Sequence, residues 1–396
     1  MVRFHVVNSV KGGCGKSTFS LYLANYLTAQ KHKVVIIDLD IGGSTWYRDF
    51  KPYLVSEMEK SDENNKDVDF SIEDTKFLND LFYEYEKNKT RKHIFELQIT
   101  DAIIKQIPDE DNQEIEGKGK GNQTTEHKIQ PAEGEVQETW NKNQTVEGKK
   151  TKYEIIEGEK RTLNVIMTDP KRASCIRDEE LDLLEEAICS LVDEIATNTY
   201  PFDSKKIVDF VFDMPPGYEE HSEHILMHAL MDLGSNLYKK YTSKKTKNGE
   251  LQNPVYLYMI SGVKQASLKA NIQYVERFYK KPSYSMNTGV LKTENVFFLF
   301  NDVDMSFQAF VDTLQGAVPL KTARKRLTNN ISETESINGD NIQFGIINHI
   351  PFLLSNQGYK DIITSKDEEN PPKYYMLVEA EGGFHDFLES AKHLAE

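Results

Sequence analysis

Two lysines and three glycines lie within one short stretch near the start of the chain, KGGCGKST, at residues 11–18. A glycine-rich segment ending in lysine and serine is typical of a phosphate-binding loop, because backbone N–H groups and the next helix N-terminus together surround an anion. We expect Lys16 to reach the β- and γ-phosphate oxygens of a nucleotide and Ser17 to bind Mg²⁺. Lys11 is a further cation, ahead of the first glycine, that ordinary phosphate loops lack. The expected nucleotide contacts of the loop are Gly12, Gly13, Cys14, Gly15, Lys16, Ser17 and Thr18.

Three aspartates at the ends of apolar, strand-like runs are the candidate partners of this loop. Asp38 and Asp40 lie in the segment VVIIDLDIGGS, and Asp213 ends the run VDFVFD. Because ligands of parallel sheets gather at the carboxyl ends of the strands, we expect all three carboxylates near the phosphates. Carboxylates so close to phosphates require a shared cation, and Mg²⁺ is suited to that role. Asp213, followed by Pro-Pro-Gly, has the form of a Walker B acid that holds Mg²⁺ through water.

Short β-branched runs alternate with helical patterns along most of the chain. This predicts an α/β fold of the P-loop type, with a mostly parallel, twisted β-sheet flanked by helices on both faces. The strands are expected at residues 3–9, 33–40, 162–169, 207–214, 254–261, 295–301 and 343–350. The helices are expected at residues 17–30, 178–195, 219–240, 265–280, 304–315 and 383–395.

One region interrupts this alternation, and we interpret it as a polar insertion in a single domain that spans residues 1–396. Residues 108–160 are rich in Glu, Lys, Gly, Asn and Gln and contain few large aliphatic side chains. That composition is typical of a solvated segment that is partly flexible or built from hairpins. The segment KYEIIEGEKRTLNVI, at residues 152–166, is the clearest candidate for a hairpin.

Composition limits the class and compartment of the protein. The formal net charge of −15 argues for a soluble protein and against a surface that is basic throughout. The three cysteines include no CxxC pair, which excludes a disulfide framework and favours a reducing compartment. No apolar run approaches the roughly 18 residues of a membrane span, and the first apolar run leads into the glycine loop rather than to a signal-peptide cleavage site. We therefore expect a cytoplasmic protein.

These motifs together resemble the ParA/MinD family of P-loop ATPases. The deviant Walker A pattern of that family, K-G-G-x-x-K-[ST], matches residues 11–17. The segment DLDIGGS is similar to the second signature of the family, and Asp213 matches its Walker B acid. The order of elements is similar over most of the chain, whereas the specific motifs lie within residues 5–46 and 207–217.

The resemblance extends to the residues that would contact the base. The family contacts adenine with an asparagine at the end of a late strand, which corresponds to Asn301, and with a proline loop, which corresponds to Pro351. The segment NDVD at residues 301–304 is similar to the guanine-binding motif N-K-x-D but lacks its lysine. ATP is therefore favoured over GTP.

The resemblance implies a mechanism built on two subunits. A homodimer would close face to face around two ATP molecules and hydrolyse them slowly, as a switch that controls the positioning or partitioning of a partner or cargo. Lys11 of each subunit would reach the phosphates of the other and stabilise charge that develops there. Asp40 would orient the attacking water, while Asp38 would join Ser17 and Asp213 at the Mg²⁺ site. A protein partner, whose identity the residues do not reveal, would stimulate hydrolysis.

The partners of such an ATPase are open to more than one interpretation. The segment LKTARKRL, at residues 320–327, is either a non-specific DNA contact or a solvated helix face. Its candidate DNA contacts are Lys321, Arg324, Lys325 and Arg326. The segment GGFHDFLESAKHLAE mixes acids and bases, so we do not expect it to attach to a membrane as a basic amphipathic helix would. The alternative function is an ATP-dependent assembly or maturation factor, of the metallochaperone or client-targeting type, that acts on a protein partner.

Overall fold

The structure is a computed structural model of the chain. It describes residues 1–40, 46, 54–56, 95–107, 152–168, 178–196, 207–216, 222–262, 267, 270–271, 273–275, 290–291, 295–303, 343–348, 374–377, 388–389, 391 and 394. The strands within this part of the chain are β1 (Val2–Asn8), β2 (Lys33–Asp38), β3 (Leu54–Ser56), β4 (Phe95–Ile107), β5 (Lys152–Ile166), β6 (Val208–Asp213), β7 (Val255–Ser261), β8 (Val296–Val303), β9 (Gln343–Asn348) and β10 (Tyr374–Leu377). The helices are α1 (Lys16–Ala29), α2 (Asp178–Ala196) and α3 (Ser222–Met231), followed by a π-helical turn, Tyr238–Thr242.

The centre of the fold is a parallel sheet. Seven of its strands lie in the order β5-β2-β6-β1-β7-β8-β9, and each neighbouring pair among them is parallel. All residues of β1, β2, β6 and β7 are buried, which explains why these strands are apolar at successive positions. The predicted α/β fold with a mostly parallel sheet is confirmed.

One face of this sheet forms an apolar core with α2 and α3. Phe4 and Phe210 stack with their ring centroids 5.8 Å apart. Ile188 of α2 and Leu226 of α3 belong to the same buried cluster. Full burial of one such side chain contributes about 1.5–3 kcal/mol to folding, so this face supplies much of the stability of the sheet.

The opposite face, on the side of α1, contains a buried polar group that we call the Asp209 cluster: Arg3, His5, His32 and Asp209. Arg3 and His5 flank Phe4 on β1 and therefore point away from the apolar core. The Asp209 Oδ1 atom lies 2.5 Å from Arg3 Nε and 2.9 Å from His5 Nε2, and Asp209 Oδ2 lies 2.9 Å from His32 Nδ1. Burial alone would raise the pKa of Asp209, but hydrogen bonds from His32, His5 and Arg3 hold that pKa well below its usual range. The cluster links the segment that follows α1 to β1 and β6.

Two local predictions are wrong. The predicted hairpin at residues 152–166 is one continuous strand of 15 residues, β5. Gly158 lies within this strand rather than in a turn, and a Cβ at this position would lie 3.1 Å from the Cβ of Asp101, a tight contact that glycine avoids. The predicted helix 219–240 is interrupted after α3, where the N–H of Gly234 donates a 2.7 Å hydrogen bond to Asp232 Oδ1 in a side-chain-supported turn.

The chain divides into two compact units. One contains Met1–Gln98, Arg161–His349 and Glu381–Glu396, and the other contains Ile99–Lys160 and Ile350–Ala380. In the second unit β10 pairs in parallel with β4, a strand that the sequence patterns did not predict. The single domain over residues 1–396 and the flexible character of the insertion at residues 108–160 stay predictions, because most of that insertion lies outside the described residues. Within the part of the chain that is described, no helix is both long enough and apolar enough to cross a membrane.

Candidate functional site

The glycine loop connects β1 to α1 and has the backbone conformation of an anion cradle. Gly13 and Gly15 have φ angles of 71° and 87°, in the left-handed region that glycine adopts without strain. Gly15 is the N-cap of α1, and no side chain caps the helix there. The first N–H groups of α1 are therefore available to an external acceptor, as at other helix N-termini that bind anions.

Hydrogen bonds fix the entrance of the loop. The N–H of Val10 donates a 3.0 Å bond to Asn271 Oδ1, and Asn271 Nδ2 donates a 3.0 Å bond to the carbonyl of Ile260 at the end of β7. The N–H of Lys11 donates a 3.2 Å bond to Ser9 Oγ. The loop therefore begins from a position that both β1 and β7 determine.

The two lysines of the loop lie in different environments. Lys16 is buried, with 8% of its surface exposed, whereas Lys11 is exposed. An ammonium group that is drawn into a protein needs a negative partner, and Lys16 lies close enough to Asp213 to lower the pKa of that carboxyl. Lys16 thus belongs to the site of its own chain, and Lys11 is accessible from outside it.

Asp213 ends β6 beside the loop, and its two carboxylate oxygens differ. The indole Nε1 of Trp46 donates a 2.7 Å hydrogen bond to Asp213 Oδ2. Asp213 Oδ1 is buried and has no hydrogen-bond partner among the described residues. Burial raises the pKa of Asp213, and Asp40 adds to the increase, while Ser17, Lys16 and Trp46 oppose it. A buried carboxylate oxygen without a donor fits a position that a cation or its bound water completes.

Asp38 and Asp40 follow β2 at the same edge of the sheet. Asp38 is the register partner of Asp213 on β6. Asp38 Oδ1 accepts a 3.0 Å hydrogen bond from the N–H of Asp40, and the hydroxyl of Thr168 lies 3.3 Å from Asp38 Oδ2 and 3.0 Å from the carbonyl oxygen of Asp40. Strand register places Asp38 opposite Asp213, and Thr168 joins the Asp38 carboxylate to the backbone carbonyl of Asp40.

Asn301 of β8 lies against the loop. Its Nδ2 donates a 2.9 Å hydrogen bond to the carbonyl of Cys14, and a Cβ added to Gly15 would lie only 2.2 Å from the same nitrogen. Pro351 and the basic residues Lys321, Arg324, Lys325 and Arg326 lie outside the described residues. Their predicted contacts with the base and with DNA stay predictions.

The described residues of the site offer few protein ligands to a metal ion. Within the described ranges, no three His, Cys, Asp or Glu side chains converge on a metal position. Mg²⁺ usually keeps several bound waters and takes few protein ligands beside the substrate phosphates. One hydroxyl ligand, with carboxylates that bind the waters of the ion, is therefore enough to hold it. Ser17 at the start of α1 and Oδ1 of Asp213 are the groups suited to that role.

Two residues of the site were missed by the sequence analysis. Thr168 follows β5, so its place at the carboxyl edge of a parallel sheet was a usable signal. Trp46 is fully buried, yet no spacing within the segment after Asp40 indicated that its indole would reach Asp213.

No curated protein matches the chain. Among solved structures, the cell division ATPase MinD of Pyrococcus furiosus is 12% identical, with 100% of each chain covered and a TM-score of 0.43. The septum site-determining protein MinD of Pyrococcus horikoshii, complexed with Mg-ADP, is 12% identical, with 100% of this chain and 98% of that chain covered and a TM-score of 0.42. The pNOB8 ParA bound to nonspecific DNA is 12% identical, with 100% and 93% covered and a TM-score of 0.43.

The family model provides the assignment. The model for the CobQ/CobB/MinD/ParA nucleotide binding domain matches residues 5–339, which include the glycine loop, all three aspartates and Asn301. The predicted resemblance to the ParA/MinD group is thereby confirmed. The chain belongs to the CobQ/CobB/MinD/ParA nucleotide-binding domain family.

Proposed function

We propose that the protein binds ATP with Mg²⁺ at the loop between β1 and α1 and hydrolyses it slowly, as a ParA/MinD-like switch. The observation that carries this proposal is the position of Asp213 Oδ1, a buried carboxylate oxygen without a partner among the described residues, beside Lys16 and Ser17. A phosphate-bound Mg²⁺ would compensate that oxygen. Family membership supports the same conclusion independently of the geometry.

Each residue of the site has a proposed role. The N–H groups of the loop, from Gly12 to Thr18, surround the phosphates, and Lys16 neutralises them. Bound Mg²⁺ would offset the charge that develops on the transferring phosphoryl group. Ser17, Asp213 and Asp38 would hold the cation, with the carboxylates acting through water. Asp40 accepts a hydrogen bond from the attacking water and orients it.

Asn301 and Pro351 are proposed to border the adenine. Asn301 already donates through Nδ2 to the loop carbonyl of Cys14. Its side-chain oxygen can accept a hydrogen bond from the exocyclic amine of the base, because an amide offers both a donor and an acceptor. Such a contact would join base recognition to the phosphate loop.

Lys11 is proposed to act across a homodimer. Its exposure, in contrast to the burial of Lys16, supports a role outside its own subunit. A cation that arrives only when two subunits meet would stabilise the transition state only in the dimer, as an arginine finger does. Hydrolysis would then depend on dimerisation, and a protein partner would stimulate hydrolysis.

The cellular output of this switch is the positioning or partitioning of a cargo, and the protein is proposed to act in the cytoplasm. Non-specific DNA binding through residues 321–326 would provide a surface for that movement. The alternative role, assembly or maturation of a client protein, predicts instead a stable client complex that hydrolysis releases. Retention on DNA only in the presence of ATP would distinguish the first role from the second.

Three single variants test the proposal: Lys16→Ala, Lys11→Ala and, as a matched control, Lys247→Ala on an exposed loop. Lys16→Ala should abolish nucleotide binding. Lys11→Ala should retain ATP affinity in the monomer but lose the ATP-dependent dimer in light scattering and most of its turnover. Lys247→Ala should match the wild-type protein in all three measurements. The proposal fails if the wild-type protein binds no ATP, and the role of Lys11 fails if that variant loses affinity alone.

A further inference from the structure

Trp46 is a fully buried residue whose indole contacts a carboxylate of the candidate site. Its side chain has no exposed surface, and its only polar atom, Nε1, lies 2.7 Å from Asp213 Oδ2. Asp213 is itself only 2% exposed. Buried tryptophans usually direct this N–H to some acceptor, so burial explains why a partner is present. Burial does not explain why the partner is the one carboxylate that ends β6 beside the phosphate loop.

The two oxygens of an aspartate are equivalent until a neighbour distinguishes them. The terminal torsion of this side chain is broad and roughly two-fold, so either oxygen can occupy a given position. Indole is a donor only and cannot accept, so it requires a lone pair on the atom that it contacts. The contact with Trp46 therefore assigns Oδ2 to the protein and leaves Oδ1 without a partner among the described residues.

The neighbouring carboxylate does not supply this constraint, although Ser17 also lies close enough to Asp213 to lower the pKa of that carboxyl. Asp38, the register partner of Asp213, is engaged with the N–H of Asp40 and the hydroxyl of Thr168. Its negative charge would repel Asp213 and would not fix the rotation of that carboxylate. A hydrogen bond to an ionised group is stronger than a neutral one, so the indole is well suited to hold the carboxylate.

We propose that Trp46 is a positioning residue for the magnesium site: its indole N–H holds the Asp213 carboxylate so that Oδ1 is the oxygen presented to Mg²⁺ and its waters. This inference rests on the proposed binding of Mg–nucleotide at the loop. It adds a residue that the motifs do not contain and a specific dependence on the metal. Nucleotide affinity without Mg²⁺ should depend little on Trp46, because the indole N–H is engaged with Asp213, a residue proposed to act through the cation.

The test replaces Trp46 by phenylalanine, which keeps most of the aromatic volume and removes the N–H. The chain has two tryptophans, so Trp140→Phe is the matched control. Binding of a fluorescent ADP analogue is measured in EDTA and then as Mg²⁺ is added. Loss of a hydrogen bond to a charged group should raise the Mg²⁺ concentration for half-maximal effect about tenfold in W46F. W140F should keep the wild-type midpoint, and both variants should keep the affinity measured in EDTA.

The binding experiment distinguishes failure of the role proposed for Trp46 from failure of the proposed function. A W46F protein with the wild-type Mg²⁺ midpoint would overturn the positioning role of Trp46 while leaving the proposed function intact. A wild-type protein that binds no nucleotide would overturn both. Equal losses of affinity with and without Mg²⁺ would show that the indole supports the fold of the site rather than the metal.

A second measurement does not require the W46F protein to fold. In W140F labelled with ¹⁵N-tryptophan, the single remaining indole N–H resonance belongs to Trp46. It should shift when Mg²⁺ is added to the ADP-bound protein, because a cation near Oδ1 withdraws electron density from the oxygen that the indole contacts. An identical resonance in EDTA and in Mg²⁺, in a protein that binds ADP in both, would contradict the inference.

Discussion

Asn301 Nδ2 donates a 2.9 Å hydrogen bond to the carbonyl oxygen of Cys14, which joins β8 to the phosphate loop at the residue before the N-cap of α1. The same nitrogen occupies the space that a Cβ on Gly15 would need. The loop conformation is therefore determined by a tertiary contact as well as by its glycines.

Gly15→Ala should destabilise the protein more than a glycine-to-alanine change at another position with a left-handed backbone. An alanine at φ 87° is strained, and its Cβ would collide with the Asn301 amide, so we expect a loss of free energy of unfolding beyond the about 1–3 kcal/mol of backbone strain alone. Urea titration of each variant gives these free energies.

The matched control is Gly249→Ala, whose φ is 83° and whose Cβ would have no atom within 4 Å. The Gly249→Ala protein should lose only the free energy of unfolding that corresponds to backbone strain. Adding Asn301→Ala to Gly15→Ala should remove the excess, apart from the cost of losing the bond to Cys14. Equal losses of unfolding free energy in Gly15→Ala and Gly249→Ala would mean that the Asn301 side chain moves away from the added Cβ without an energetic cost.

Asp209→Asn should be strongly destabilising although it lies outside the proposed site. The substitution removes the negative charge that compensates the buried guanidinium of Arg3. Breaking a buried pair from one side typically costs about 3–5 kcal/mol, because the other charge stays buried. Lys240→Ala, which removes an exposed ion pair with Asp193, should cost about 1 kcal/mol or less. Comparable losses in the two proteins, measured by urea unfolding, would contradict this difference.

The Asp209 cluster should also make stability fall with acid. Burial lowers the pKa of His5, so the folded protein keeps this imidazole neutral while the unfolded chain takes up a proton below its ordinary pKa of about 6.5. Among the described residues, the titratable groups that face it are Asp209, Arg3, His32, Tyr256 and Tyr258. The stabilising contribution is therefore present above about pH 6.5 and is lost as the pH falls below that value.

Asp209 also makes the protein less stable as the pH falls, but in a lower pH range than His5. Its folded pKa is depressed, so its contribution is present above the unfolded pKa of about 3.9 and is lost as the pH falls below it. Between pH 6.5 and 5, His5 alone should contribute a slope of up to about 1.4 kcal/mol per pH unit. His5→Gln should flatten that slope in urea unfolding series, with no change of slope between pH 8 and 9. An unchanged slope below pH 6.5 would exclude His5 as its source.

Thr168→Val should reduce hydrolysis more than nucleotide binding. The hydroxyl of Thr168 lies within hydrogen-bond distance of Asp38 Oδ2 and of the Asp40 carbonyl, so its loss should let the proposed water-orienting residue shift. We expect kcat to fall about tenfold at nearly constant Kd for ATP. Thr168→Ser retains the hydroxyl and should keep most of the activity. A fall in ATP affinity that matches the fall in kcat would indicate a role in binding instead.

Much of the candidate site could be predicted from sequence patterns, because the residues of each motif are close together in the sequence. Glycines followed by Lys16 and Ser17 at a strand–helix junction leave few alternatives to a phosphate loop. Strand-ending aspartates at positions 38 and 213 become register partners because both strands are parallel and end at the same edge. Local patterns failed at β5, where Gly158 serves a close approach between strands but has the signature of a turn.

The sequence by itself determined the glycine loop, the acidic edge, the α/β class and the family resemblance, since each follows from patterns within single strands and turns. Only the tertiary structure decided which contacts join these parts to the rest of the fold. Trp46 reaches Asp213 across 167 positions, and Asn301 reaches Cys14 across 287. Such contacts depend on the order of strands in the sheet and on the direction of a single N–H. No periodicity in the chain encodes either. The family resemblance indicated Asn301 as a base contact, but its bond to Cys14, like the bond of Trp46 to Asp213, is visible only in the folded chain.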